Sequence, residues 1–232
     1  MIDSLLAIHL VCAVGATAIF WIAAFANKRG ALHPQVGRWF ARAIYGAAVT
    51  GGVLAGTGLL VPGVMTSANR GAADTRHLMA FILYLLIVIV TPVQHGLAVV
   101  EAESLPSRVR SRTHATLNML ALLGAVALFP AALIWHTWFF LLAVPAGFLL
   151  ALRNMQYAGR GSATATEWQR EHLTSLITAG VALHTGFFVL TAIRLDSSIP
   201  IIWKWTPWLV PAAIGLPVIF WLRRSWFAEP RG

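Results

Sequence analysis

Apolar residues run on along this chain for whole spans, and polar residues gather in short breaks between them. Unbroken apolar runs of roughly 20 residues are what α-helices need to cross about 30 Å of hydrocarbon. Reading the runs between charged breaks predicts seven helices, at roughly 4–26, 39–62, 77–100, 114–134, 137–153, 171–194 and 201–222. The fourth and fifth meet near "IWHTW", which predicts a helical hairpin. The expected fold class is an all-α seven-transmembrane-helix bundle, a single transmembrane domain over residues 1–232.

Composition sharpens this picture. The chain is 58% hydrophobic and 11% charged, against roughly 25% charged in soluble domains. The opening "MIDSLLAIHLVCAVG" lacks the basic start of a cleaved signal peptide, so it is expected to be the first span. Cys12 is the only cysteine, which leaves no intramolecular disulfide and no thiolate metal cluster.

A net charge of +9 in a soluble protein points to nucleic acid. Here topology accounts for it, and no nucleic-acid partner is expected. With the N-terminus outside, only Arg70, Arg76, Arg194 and Lys204 fall on the outer side, and the rest of the 17 Lys and Arg fall inside. That asymmetry is the positive-inside pattern of an N-out, C-in protein of the bacterial inner (cytoplasmic) membrane, with the lipid bilayer as its partner. Tryptophans agree, since indoles favour the headgroup level. Trp135, Trp138, Trp203, Trp205 and Trp208 fall at outer ends, Trp39, Trp168, Trp221 and Trp226 at inner ends. Ala48, Gly52 and Gly56, four apart, are expected to form a smooth face for helix packing or a flat cofactor.

No GxGxxG, P-loop, HExxH, CxxC or GxSxG motif is present, so no soluble-enzyme signature appears. The acids Asp3, Asp74, Glu101, Glu103, Glu167, Glu171, Asp196 and Glu229 all read as helix ends or loops, which disfavours a carboxylate-based pump.

The histidines carry the remaining chemistry. At about 1.5 Å of rise per residue, His9, His77 and His184 form an outer set and His95, His114 and His172 an inner set, each drawn from three helices. His77 and His95 share one face of the third helix, roughly 27 Å apart along its axis. His33 and His136 read as solvated loop residues. Imidazole ligates haem iron, zinc and copper, and its polar nitrogens are costly in lipid. The depth pattern therefore makes His9, His77, His184, His95, His114 and His172 candidate cofactor ligands. His9, His77 and His184 are the candidate metal set, the pair His9 and His184 foremost. Hydrogen bonding of each ring to a neighbouring helix is the competing reading.

"IHLVCAVGATAIFWIAAF", followed by "HPQVGRWFARAI" with His33, Gly37, Arg38 and Trp39, resembles the opening of an uncharacterised bacterial family of multi-span membrane proteins. "EWQREHLTSLITAGVALHTGFFVL" is similar to the penultimate span of such proteins. The resemblance implies a polytopic bacterial membrane protein and no assigned reaction. In organisation, histidines grouped near both faces resemble two-haem b-type transmembrane cytochromes, although seven spans depart from that pattern.

Three functions follow as expectations. The first is a metal centre, foremost haem b, for transmembrane electron transfer to a redox partner or quinone, with His9 and His184 as outer ligands and His95 paired with His114 or His172 inside. The second is an intramembrane zinc hydrolase built on three histidines, copper being the other metal that suits the set. The third is a cofactor-free bundle that binds lipid or a small ligand or scaffolds a partner.

Overall fold

The computed structural model describes residues 2–28, 30–64, 71–192 and 201–225. Helices are α1 (Ile2–Phe25), α2 (Leu32–Leu60), α3 (Ala72–Ala102), α4 (Arg112–Ile134), α5 (Ala143–Ala158), α6 (Ala165–Ala192) and α7 (Ile201–Ser225). Among the described residues there is no strand. Six of the helices are long and apolar enough to cross a membrane, which makes this a multi-pass, all-helical membrane protein. The exception is α5, whose 16 residues reach about 24 Å. The 3-10 segment Trp138–Leu142 leads into it and supplies the missing length. Arg29, Arg70, Arg194, Asp196, Trp226, Glu229 and Arg231, and the side chains of Trp203, Lys204 and Trp205, lie outside what the structure describes.

α2, α3 and α6 begin well ahead of their apolar runs. The shift that bears on the buried polar residues is at α6, which starts at Ala165 rather than 171. Thr164 and Glu167 form a capping box there: the Glu167 carboxylate accepts from the Thr164 backbone N–H at 2.7 Å, and the Glu167 N–H donates to Thr164 Oγ1 at 3.2 Å. Glu171 is thereby about two turns inside the helix rather than at its end. α2 begins at Leu32, so His33 is in a helical first turn and not in a loop. α3 begins at Ala72, ahead of His77.

The most enclosed helix is α3, which packs against α2, α4 and α6. Phe81, Tyr84, Leu85, Val88 and Val93 on α3 join Phe40 and Ile44 of α2, Ala125 and Leu128 of α4 and Leu183 of α6 in one apolar core. Trp208 belongs to this core, its ring 5.3 Å from that of Phe81. A second small core of Val99, Ala102, Val109, Tyr157 and Ala158 closes the end where α3 hands over to α4. α1 is peripheral: its only buried residue is Ala16, while Val11 and Phe25 are 73% and 82% exposed, as suits a helix solvated by lipid.

The row Ala48, Gly52 and Gly56 is not the packing face of α2, because a Cβ at Gly52 or Gly56 would meet nothing within 4 Å. The face is offset by one residue. Ala47, Gly51, Ala55 and Gly58 are buried, and Gly51 and Gly46 receive the ring of His9 and the thiol of Cys12 from α1. A row read only for its spacing leaves the phase around the helix open, and each residue turns the face by about 100°.

Candidate functional site

The histidines at the two ends of the bundle meet different fates. His9 donates from Nδ1 to Ala47 O of α2 at 2.9 Å, with Thr50 Oγ1 at 3.3 Å. His184 donates from Nδ1 to Gly180 O at 2.7 Å and accepts at Nε2 from Trp21 Nε1 at 3.1 Å. Both nitrogens of that ring are engaged. Trp21 stands twelve residues along α1 from His9, about 18 Å of axial rise, so His9 and His184 lie at different levels. His77 stacks on Trp135 at a centroid distance of 4.2 Å. These three rings are held separately by neighbouring helices. His136 is exposed in the turn after α4, in keeping with a solvated residue.

At the opposite end α2, α4 and α6 begin and α3 and α5 finish, and there the rings converge. Ser111 caps α4 by accepting from the His114 N–H at 3.0 Å, which fixes His114 in the first turn. His114 Nε2 then lies 3.0 Å from His95 Nδ1 of α3. The other nitrogen of His95, Nε2, is 3.1 Å from Glu171 Oε1 of α6. Arg153 of α5 pairs with the same carboxylate oxygen at 3.3 Å. Three helices thus contribute an imidazole, an imidazole and a carboxylate in series, and a fourth supplies the counter-charge.

The pieces around this series hold it in register. Glu171 and Ser175 are four apart on one face of α6, and Arg153 bridges them, donating from Nη2 to Ser175 Oγ at 2.9 Å. Asn154 donates to Asn118 Oδ1 at 3.0 Å, and Asn118 in turn donates to the His114 carbonyl at 2.7 Å. The Tyr157 ring stands edge-on to His95 at 5.6 Å. His95, Asn118, Asn154 and Ser175 are fully buried. Polar side chains enclosed to this degree need matched donors and acceptors, and this network supplies most of them across α3, α4, α5 and α6, leaving the Tyr157 hydroxyl and Arg153 Nε without a hydrogen bond among the described residues.

One glycine makes the approach possible. A Cβ on Gly96 would collide with the tip of Leu176 and lie 3.1 Å from Ser175 Cβ. Its absence lets α6 close on α3, bringing Glu171 to His95 and His172 Nδ1 to Gly96 O at 2.8 Å. His172 also meets His33 edge-to-face at 6.4 Å, and His33 Nδ1 donates to Ala23 O at the end of α1. Beside it, Lys28 donates to Ala23 O and Ala24 O, and burial holds its ammonium below the usual lysine range.

Of the six candidate ligands, the structure joins His95 to His114 and leaves His172 one residue from Glu171 on a separate bond. Glu171, Arg153, Asn154 and Ser175 are the site residues that apolar periodicity passes over. The signals for them were the Thr164-x-x-Glu167 box, which places Glu171 inside α6, and the polar pair Arg153–Asn154 in the helical phase of Tyr157. Among the described residues, no three His, Cys, Asp or Glu side chains gather as a metal-binding group. Comparison with protein-family models, curated proteins and solved structures finds no match to this chain.

Proposed function

We propose that this chain is a proton-coupled protein of the bacterial cytoplasmic membrane, N-terminus outside, whose cytoplasmic end takes up a proton along His114, His95 and Glu171. The reading rests on one observation, the unbroken series from His114 Nε2 through both nitrogens of His95 to Glu171 Oε1. Neutral imidazole offers one donor and one acceptor. With Glu171 ionised, His95 holds its proton on Nε2 and accepts at Nδ1 from His114 Nε2–H. A proton arriving at Nδ1 of His114 lets that ring release its Nε2 proton to His95 Nδ1. His95 then releases its own Nε2 proton to Glu171, so one proton enters and one carboxylate is neutralised.

The helices register the change through Arg153. Neutral Glu171 no longer attracts the guanidinium, which keeps its bond to Ser175 but loses the ion pair that ties α5 to α6. The Tyr157 hydroxyl, beside the His95 ring and without a hydrogen-bond partner among the described residues, offers a bond to water. The titratable and charged groups facing Glu171 are His95 from α3, Arg153 from α5 and Arg223 from α7.

A second reading keeps a metal at the same place. Two imidazoles on one tetrahedral zinc or copper, with bonds of about 2.0–2.1 Å, stand roughly 3.3 Å apart. The 3.0 Å between His95 and His114 is near that value, and a carboxylate on the far nitrogen of a ligand, as Glu171 is on His95, is the usual supporting partner. Haem b for electron transfer to a redox partner or quinone asks for more movement. His95 and His114 would hold it, and their 3.0 Å contact would have to open to admit the group.

Infrared difference spectroscopy of the purified protein across a pH step separates these readings. Proton uptake gives a carboxylic C=O band that disappears in Glu171→Gln and weakens in His95→Leu. A spectrum without a band assignable to Glu171 ends the proton reading. About one zinc or copper per chain, or iron with a haem absorption band, that vanishes in His95→Leu establishes the metal reading instead.

A further inference from the structure

Outside the histidine series, α6 and α7 leave an open groove of about 700 Å³ at the same end of the bundle. Its lining is Arg170, Leu216, Ile219, Phe220, Arg223 and Arg224. Leu216, Ile219, Phe220 and Arg223 recur at helical spacing, so one face of α7 passes from an apolar strip to guanidinium groups at its last turn. Leu216 and Phe220 are 64% and 66% exposed, and Arg224 leans back over the Phe220 ring at 5.7 Å. None of the described lining residues is acidic.

We propose that this groove is a binding site for one acidic diacyl phospholipid, its phosphate held by Arg223, Arg224 and Arg170 and an acyl chain lying along Leu216, Ile219 and Phe220. Guanidinium forks match phosphate oxygens in pairs, and basic recesses between helices at the cytoplasmic face suit anionic headgroups. A free phosphate satisfies the guanidiniums but leaves the apolar strip unused. The lipid enters sideways from its own leaflet, where the exposed strip already faces the acyl chains. Arg223 is near enough to Glu171 and Arg153 to interact with both, so a headgroup here neighbours the buried series. The site nevertheless stands or falls independently of proton uptake.

Native mass spectrometry of the full-length protein in detergent tests it, with phosphatidylglycerol, phosphatidylcholine and inorganic phosphate as probes. The expected result is one phosphatidylglycerol retained at least tenfold more tightly than phosphatidylcholine and not displaced by millimolar phosphate. Arg223→Gln/Arg224→Gln lowers that retention at least tenfold, whereas Arg38→Gln/Arg42→Gln, which removes equal charge from α2, leaves it unchanged. Arg224→Glu alone, at an exposed position, gives the same loss should the double variant not fold. Equal retention of both lipids, displacement by free phosphate, no response to Arg224→Glu, or an equal loss in the α2 variant overturns the proposal.

Discussion

His95 Nδ1 and His114 Nε2 stand 3.0 Å apart between α3 and α4, with neither ring open to water beyond 3% of its surface. The direction of that bond follows from the other side of His95. With Glu171 ionised and His95 neutral, His95 donates to the carboxylate from Nε2, and His114 donates from its Nε2 to His95 Nδ1. The bond joins two helices and fixes two tautomers together.

Replacing His95 with leucine removes the shared partner. Glu171 keeps Arg153, but His114 Nε2–H is left buried without an acceptor, a loss of about 1–3 kcal/mol. Thermal denaturation in detergent is expected to show a clearly lower Tm for His95→Leu. His95→Gln, whose amide offers both a donor and an acceptor, is expected to recover part of it.

At Gly96, α3 leaves the space that Leu176 and Ser175 of α6 occupy. Gly96→Val pushes Leu176 and Ser175 away, and such overpacking costs about 1–3 kcal/mol. The accompanying outcome is more specific than the stability loss: Glu171 withdraws from His95, so Gly96→Val is expected to reduce the carboxylic infrared response without touching any titratable group. Gly52→Val, where a Cβ meets nothing, serves as the comparison and is expected to be nearly neutral.

Six of the helices were legible because hydrocarbon demands long apolar runs, and those survive any uncertainty in packing. Starts were legible only where a polar cap was weighed against hydropathy. Hydropathy began α6 at 171 and so read Glu171 as a helix end, whereas the Thr164–Glu167 box begins it at Ala165. That single shift turns a helix-end carboxylate into a partly buried partner of His95. Depth along each helix grouped His95, His114 and His172, of which the structure hydrogen-bonds the first two to each other and holds His172 on Gly96 O. It also grouped His9, His77 and His184, which the structure does not join: His184 meets α1 at Trp21, well below the level of His9, and depth says nothing about which way a ring points around its helix. His184 faces Trp21 and His9 faces Ala47.

The Trp21–His184 bond is expected to act alone. A double-mutant cycle with Trp21→Phe and His184→Phe should return a coupling of about 0.5–1.5 kcal/mol, typical of one hydrogen bond. Neither change should alter the Glu171 carboxylic band, since the pair shares no partner with the buried series. A shift of that band in either variant would connect the two ends of α6.

The capping box makes a local prediction. Thr164→Ala removes an acceptor for the Glu167 N–H and the hydroxyl that bonds the Glu167 carboxylate. Amide hydrogen exchange is expected to rise at residues 165–168 and to stay unchanged near Ala179, deep in the core.

The most direct measurement is nitrogen NMR of the protein with 15N-labelled histidine, assigned by His95→Gln and His114→Gln. The account expects His95 to be neutral with its proton on Nε2 and an unprotonated Nδ1 coupled through the hydrogen bond to the protonated Nε2 of His114. A His95 protonated on Nδ1 with a bare Nε2 facing Glu171, or no coupling between the two rings, contradicts it.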